Sequence, residues 1–135
     1  MANPKGFSLI ELLLVIAIMG LLTGLLLPNF SKIQTKAKET SLKSVATSLQ
    51  QAIELYFVDN GTYPTGTNAT VTALAAILEA SGELTKIPQN PFTGKTYTSQ
   101  DSSGKILYTY VSSDNHYTLQ GFGDGQTVLF TLENM

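Results

Sequence analysis

At 135 residues, with 43% hydrophobic and only 13% charged residues, the chain is long enough for one small domain and too apolar for a disordered acidic or basic tail. Its 8 basic residues are all lysine, set against 10 acids for a formal charge of -2, so there is neither net attraction to nucleic acid nor an arginine to read phosphate or guanine bidentately. The absence of cysteine excludes disulfides, thiolate metal sites and a thiol nucleophile, and a lone histidine, His116, with no serine in a G-x-S-x-G setting, argues against triad chemistry.

The first thirty residues read MANPKGFSLIELLLVIAIMGLLTGLLLPNF, and from Leu12 to Leu27 only Thr23 is polar. Counted from Phe7 the apolar stretch is about 21 residues, which as a helix spans about 31 Å, enough to cross a hydrocarbon core once. A secretory signal would need a small-x-small cleavage site behind the run, but Leu26, Leu27, Pro28, Asn29 and Phe30 stand there, so the run is expected to be retained. A plain membrane anchor accounts poorly for Glu11, a carboxylate inside the stretch that costs roughly 2.5–3.5 kcal/mol if left unpaired near the bilayer centre. Just before it, Lys5-Gly6-Phe7 sets a small, flexible residue between a polar leader and the apolar helix, leaving a peptide bond that a protease can reach at the membrane face.

The segment KGFSLIELLLVIAIMG resembles the class III leader and first helical segment of type IV pilins and type II secretion pseudopilins. The resemblance implies cleavage by a prepilin peptidase after Gly6, N-methylation of the new terminal residue Phe7, and retention of Glu11 for assembly; Gly20 and Pro28 match the helix-loosening positions of many members. It implies a leader over 1–6, a transmembrane and polymerisation helix over 7–30, and a globular head over 31–135. It also implies a homopolymer whose growth involves an inner-membrane assembly platform, a cytoplasmic ATPase and minor pilins or pseudopilins. The subunit is expected as a single-pass protein of the inner membrane first and part of an extracytoplasmic or cell-surface filament afterwards. Nucleic acid is a partner only if the filament takes up DNA.

Physical chemistry adds a reason for Glu11. Cleavage after Gly6 creates an α-amino group, largely cationic at neutral pH, four residues from that carboxylate. Within one subunit an i to i+4 pair is possible, whereas in a bundle of such helices the amine of one copy can meet the carboxylate of the next and set their stagger. Orientation is contested by the lysines: Lys5 precedes the span while Lys32, Lys36 and Lys38 follow it, so counting positive charge alone favours the opposite topology. The cleavage motif decides for a cytoplasmic N-terminus.

Past Pro28 the pattern becomes amphipathic. Leu42, Val45, Leu49, Ala52, Ile53 and Tyr56 recur at spacings of three and four, predicting one long helix from Phe7 to Val58 whose second half (31–58) packs on a domain. Pro28, with Gly20 and Gly24 upstream, is either a tolerated kink or the place where the helix bends during assembly. Asp59-Asn60-Gly61 ends the helix and Pro64 prevents its resumption. In the variable region 59–94, Thr70–Ala80 reads as a short helix stopped by Gly82, followed by a proline-punctuated loop from Ile87 to Phe92. The region 95–135 changes period: Ile106–Val111, Tyr117–Gln120 and Thr127–Leu132 form an antiparallel meander, with Lys95–Ser99 as an added edge strand. The fold class is therefore α+β, the amphipathic half of the helix lying on a small antiparallel sheet, which agrees with the ladle-shaped subunit the resemblance implies, its apolar half protruding.

Among other candidates, Asp114, Asn115 and Asp124 lie in loops near the C-terminus and could offer oxygen ligands to calcium, as the resemblance implies for major pseudopilins, or could be ordinary turn residues. GFGDG (121–125) reads as a turn, since strand residues rather than a helix follow it. His116 reads as a residue at the sheet's edge, and Asn60-Gly-Thr and Asn68-Ala-Thr fit a glycosylation pattern that chance alone explains. Pilins often close their C-terminal loop with a disulfide, which this chain lacks. Two rival readings stay open: a membrane-anchored binding domain that never polymerises, and a tethered enzyme that would have to use His116.

Overall fold

The structure, a computed structural model, describes residues 6–134. The expected leader, apart from Gly6, and with it Lys5, lies outside the described residues. Helix α1 runs from Leu9 to Asn60, followed by the two-residue strand β1 (Ala69–Thr70), helix α2 (Val71–Ser81) and strands β2 (Ile106–Val111), β3 (His116–Phe122) and β4 (Val128–Glu133). The strands form one antiparallel sheet in the order β1-β2-β3-β4, so the class is α+β as expected. The chain divides into two compact units, one ending at Lys36 and the other beginning at Ala37.

In the first unit α1 has no core. Its side chains from Leu9 to Ile33, position 28 aside, stand exposed all round, and the helix continues through position 28 although proline has no N–H for the ladder. In the second unit the same helix is amphipathic: Leu42, Ala46, Leu49, Ala52 and Ile53 are buried, and Val45 and Tyr56 pack at the margin. That stripe meets Ile106 and Tyr108 of β2, Tyr117 and Leu119 of β3, and Val71, Leu74 and Leu78 of α2 in one core cluster. Asn60 closes α1 with its side-chain amide donating to the Tyr56 carbonyl at 3.0 Å, and Gly61 follows at φ 73, a left-handed turn that ends the helix two residues beyond the expected Val58.

Local signals also bound α2. The Thr70 hydroxyl accepts from the Ala73 N–H, and Gly82 at φ 91 terminates the helix. The register of β2 on β3 pairs Tyr108 with Leu119 and Ile106 with Gly121, which brings alternate residues to the buried face.

One expectation about the sheet is corrected. Lys95–Ser99 is not its edge strand; the segment makes only an isolated bridge, Gln89 to Thr96, and β1 takes the place beside β2 through Ala69 opposite Tyr108 and Thr70 opposite Leu107. The reason is a polar knot in the 88–104 loop. Asn90, fully buried, donates from its amide to a carboxylate oxygen of Asp101 at 3.2 Å and to the Ser103 carbonyl at 2.9 Å, and its own amide oxygen accepts from the Phe92 N–H at 2.9 Å. Tyr97 adds a 2.7 Å bond from its hydroxyl to the Gly104 carbonyl. Around that knot the N–H groups of Lys95, Tyr97 and Thr98 donate to the Thr93 hydroxyl, the Pro88 carbonyl and the Asp101 carboxylate, and the Lys95 carbonyl accepts from the Asn90 N–H, so this segment has few groups left for a ladder.

Candidate functional site

The site begins where the helix begins. Gly6, Phe7 and Ser8 are non-helical, and α1 opens at Leu9 with Glu11 in its first turn. The Glu11 carboxylate accepts the Ser8 backbone N–H at 2.8 Å, while the Ser8 carbonyl accepts the N–H groups of Glu11 at 3.0 Å and Leu12 at 3.2 Å. Ser-Leu-Ile-Glu thus supplies the glutamate half of a capping box, in which an acid three residues into a helix satisfies a donor that the helix leaves orphaned. A negative charge there also opposes the positive end of the helix dipole. The S-x-x-E spacing was available in the sequence, and the carboxylate is not stranded as its surroundings suggested: it has a partner within its own turn. The N–H it holds belongs to the residue directly after Phe7, so a charge created at the Phe7 nitrogen would lie one residue away.

Around this point Phe7 is 86% exposed and Leu9 80%, and no described side chain covers them. Further along, Thr23 donates its hydroxyl to the Met19 carbonyl at 2.7 Å, so the polar group within the span is satisfied by the helix itself. A methyl group added at Gly20 or Gly24 would meet nothing within 4 Å. Neither glycine is therefore required by packing inside this chain; their smallness matters only for another molecule or for bending.

Beyond the span, Asn29, Lys32, Ile33 and Lys36 line a shallow groove on one face of α1. Their i, i+3, i+4 and i+7 spacing gathers them on one side of the helix.

The three calcium candidates are not brought together. Asp114 and Asn115 occupy the turn before β3, and Asp124 lies in the 3-10 turn Asp124–Gln126 after it, so the seven residues of β3 separate them, about 20 Å of extended chain. Asn115, at φ 49, accepts the Tyr110 hydroxyl at 3.1 Å and its carbonyl accepts the Asn134 amide at 3.3 Å. Among the described residues no group of three or more His, Asp or Glu is placed to hold a metal. His116 is the first residue of β3, opposite Val111. GFGDG enters as the last residues of β3 and leaves as a turn, with Gly125 at φ 81.

The second unit carries its own polar latch, which periodicity could not reveal. One oxygen of Glu54 accepts the Tyr117 hydroxyl at 2.7 Å and the other the Tyr63 hydroxyl at 3.1 Å, joining α1 to β3 and to the chain just past the helix. Tyr63 stacks on Phe57 with ring centroids 4.4 Å apart and meets Tyr117 edge-on at 4.8 Å. Burial, reinforced at Tyr117 and Tyr63 by the Glu54 carboxylate, pushes the phenols of Tyr97, Tyr108, Tyr117 and Tyr63 above their ordinary values.

Comparison with known proteins matches both units. Residues 1–27 match the family described as "Prokaryotic N-terminal methylation motif", and residues 29–128 match "Type II secretion system (T2SS), protein G". The Type II secretion system core protein G of Klebsiella michiganensis is 32% identical over 132 residues, covering 92% of this chain and 84% of that protein. Its namesake in Klebsiella pneumoniae is 34% identical over 100 residues, covering 68% and 71%. The Type IV wide pilus major component PilA4 of Thermus thermophilus is 36% identical over 72 residues, covering 53% and 55%. No solved structure gives a significant match.

Proposed function

The chain belongs to the type II secretion system protein G family and is a structural subunit of a type IV-like filament, and we propose that it works as a pseudopilin that is trimmed after Gly6, methylated at Phe7 and packed through its first helix against copies of itself. The observation that carries this reading is a helix apolar on every face with a single carboxylate in its opening turn. Such a surface is satisfied by lipid before assembly and by other helices afterwards.

Glu11 then has two states. In the lone subunit its carboxylate is held by the Ser8 N–H. In the filament the Phe7 amine of an adjacent copy supplies a cation, and the charge pair specifies stagger while apolar packing supplies most of the attraction. A prepilin peptidase exposes that amine, and an inner-membrane platform driven by a cytoplasmic ATPase moves the subunit, with minor pseudopilins as companions. Gly20 and Pro28 provide the positions at which α1 yields as it leaves the bilayer. Calcium bound through Asp114 and Asn115 or through Asp124 remains part of this reading only as two separate loops, since a strand lies between them.

Similarity to the Thermus pilus component favours a second reading, a surface pilus in place of a secretion pseudopilus; filament length at natural expression distinguishes the two. The primary test is the mass of the mature protein, expected to lack residues 1–6 and to carry one added methyl group. Glu11→Ala should insert normally and form no filaments; filaments of ordinary length and yield from that variant would sink the charge-pair account.

A further inference from the structure

Between Glu11 and Glu39 the chain carries no acidic residue, yet it carries Lys32, Lys36 and Lys38. These lysines stand on the side of the span where topology statistics disfavour them, so something other than orientation must account for them. Lys32 and Lys36 share a groove with Asn29 and Ile33, and all four side chains are exposed.

Depth along the helix identifies what such a face would meet. With Phe7–Leu27 filling the hydrocarbon core, Asn29 lies about 3 Å beyond its edge, Lys32 about 8 Å and Lys36 about 14 Å, whereas the headgroup layer is roughly 5–8 Å thick. Side chains on a helix lean toward its N-terminus. Here that direction is back toward the membrane, so the long lysine stems carry both ammonium groups back toward the phosphate level, while Ile33, about 9 Å beyond the edge, lies at the outer margin of the headgroup layer. An amide and two cations on one helical face complement an anionic headgroup.

We propose that the Asn29–Lys36 face of α1 binds the headgroup of an anionic phospholipid in the leaflet facing the globular head, fixing the depth of the unassembled subunit. The proposal rests on the reading of Phe7–Leu27 as a membrane span. Each lysine should contribute about five-fold to the preference for anionic over neutral lipid. Extraction into a filament breaks these contacts, so the same lysines set part of the resistance to leaving the bilayer.

The test exploits the absence of native cysteine. Ile33→Cys and Leu14→Cys, each introduced alone in the full chain, are labelled with an environment-sensitive dye and reconstituted at high dilution into vesicles of phosphatidylcholine with or without phosphatidylglycerol. Quenching by neutral acrylamide is then measured. The expected result is at least a three-fold fall in quenching at position 33 when phosphatidylglycerol is present, lost in the background of K32Q with K36Q, restored by K32R with K36R, and weakened at high salt. Equal quenching at position 33 in both lipids, with the position 14 label protected, overturns the headgroup site while leaving the span intact. Exposure of the position 14 label overturns the span itself. A fall that appears only at high protein-to-lipid ratio assigns the face to a second copy of the chain and overturns the proposal as well.

Discussion

Helix α1 is one element built to two specifications. Up to Lys36 none of its described side chains is buried, and the polar groups within the apolar run are met locally: Glu11 on Ser8, Thr23 on Met19. From Ala37 onward it hides a stripe, and two of its polar side chains reach across the fold, Glu54 to two tyrosines and Gln50 to the Glu133 carbonyl at 2.6 Å. The contrast teaches that a helix whose partners lie outside the chain must be locally self-sufficient, because lipid offers no donors or acceptors. A helix with partners inside the chain can spend its polar groups on long-range contacts.

Truncation should expose this asymmetry most strongly. Leu49→Ala, at the centre of the core, is expected to cost about 2–5 kcal/mol, whereas Leu13→Ala, 55% exposed, should leave the melting of the second unit within about 0.5 kcal/mol of the parent. Thermal unfolding of the full chain in detergent, followed by near-ultraviolet tyrosine dichroism, measures both. Equal effects would erase the distinction between the regions.

Removing the latch comes next. Glu54→Ala leaves the buried Tyr117 hydroxyl without its acceptor and should cost about 1–3 kcal/mol. Gly121→Ala should cost a similar 1–3 kcal/mol, because a methyl group there runs into the Phe130 ring that lies across the strand. The same melting assay reads both, and an unchanged midpoint would show that the sheet or the latch relaxes freely.

The pH limits of the second unit sharpen the comparison. The phenols of Tyr97, Tyr108 and Tyr117 are raised, chiefly by burial, so the folded form holds these protons more tightly than the unfolded one. Stability is therefore full below the ordinary phenol value of about 10 and declines as pH rises beyond it. Absorbance titration should show these phenols ionising only with loss of tertiary dichroism.

The smallest effect is at the acid end. Burial pushes the Asp101 carboxyl up, but the Thr98 backbone N–H, the Asn90 amide and the Thr98 hydroxyl outweigh it and hold it below the usual carboxylate value. Its contribution is present above that range and fades as pH falls through the lowered value. Asp101→Asn should flatten this shallow acid limb in a denaturant series run from neutral pH downward, and an unaltered limb would assign it to other carboxylates.

Much of this was legible residue by residue. The apolar run, the stripe from Leu42 to Tyr56, Asn60-Gly61 at the end of α1, Thr70 and Gly82 about α2, and strands expected over 106–111, 117–120 and 127–132 and found over 106–111, 116–122 and 128–133 all follow from period and turn chemistry. The family was legible too, through the resemblance carried by Gly6, Phe7 and Glu11. What failed to show was of a different kind. The edge partner of β2 is a two-residue strand at 69–70 rather than 95–99, and nothing local distinguishes them, because pairing depends on which segment has donors to spare once the Asn90 knot is tied.

By itself, then, the amino-acid order determined the elements, their ends and the solvent each face is suited to, since these depend on the intrinsic geometry and transfer energy of neighbouring residues. Only the tertiary structure decided who meets whom: Glu54 with Tyr63 and Tyr117, Asn90 with Asp101, Asp124 a full strand away from Asp114. Those pairings join positions distant along the chain, and a hydrogen bond is settled by where closure of the fold brings its donor and acceptor, a quantity no local pattern carries.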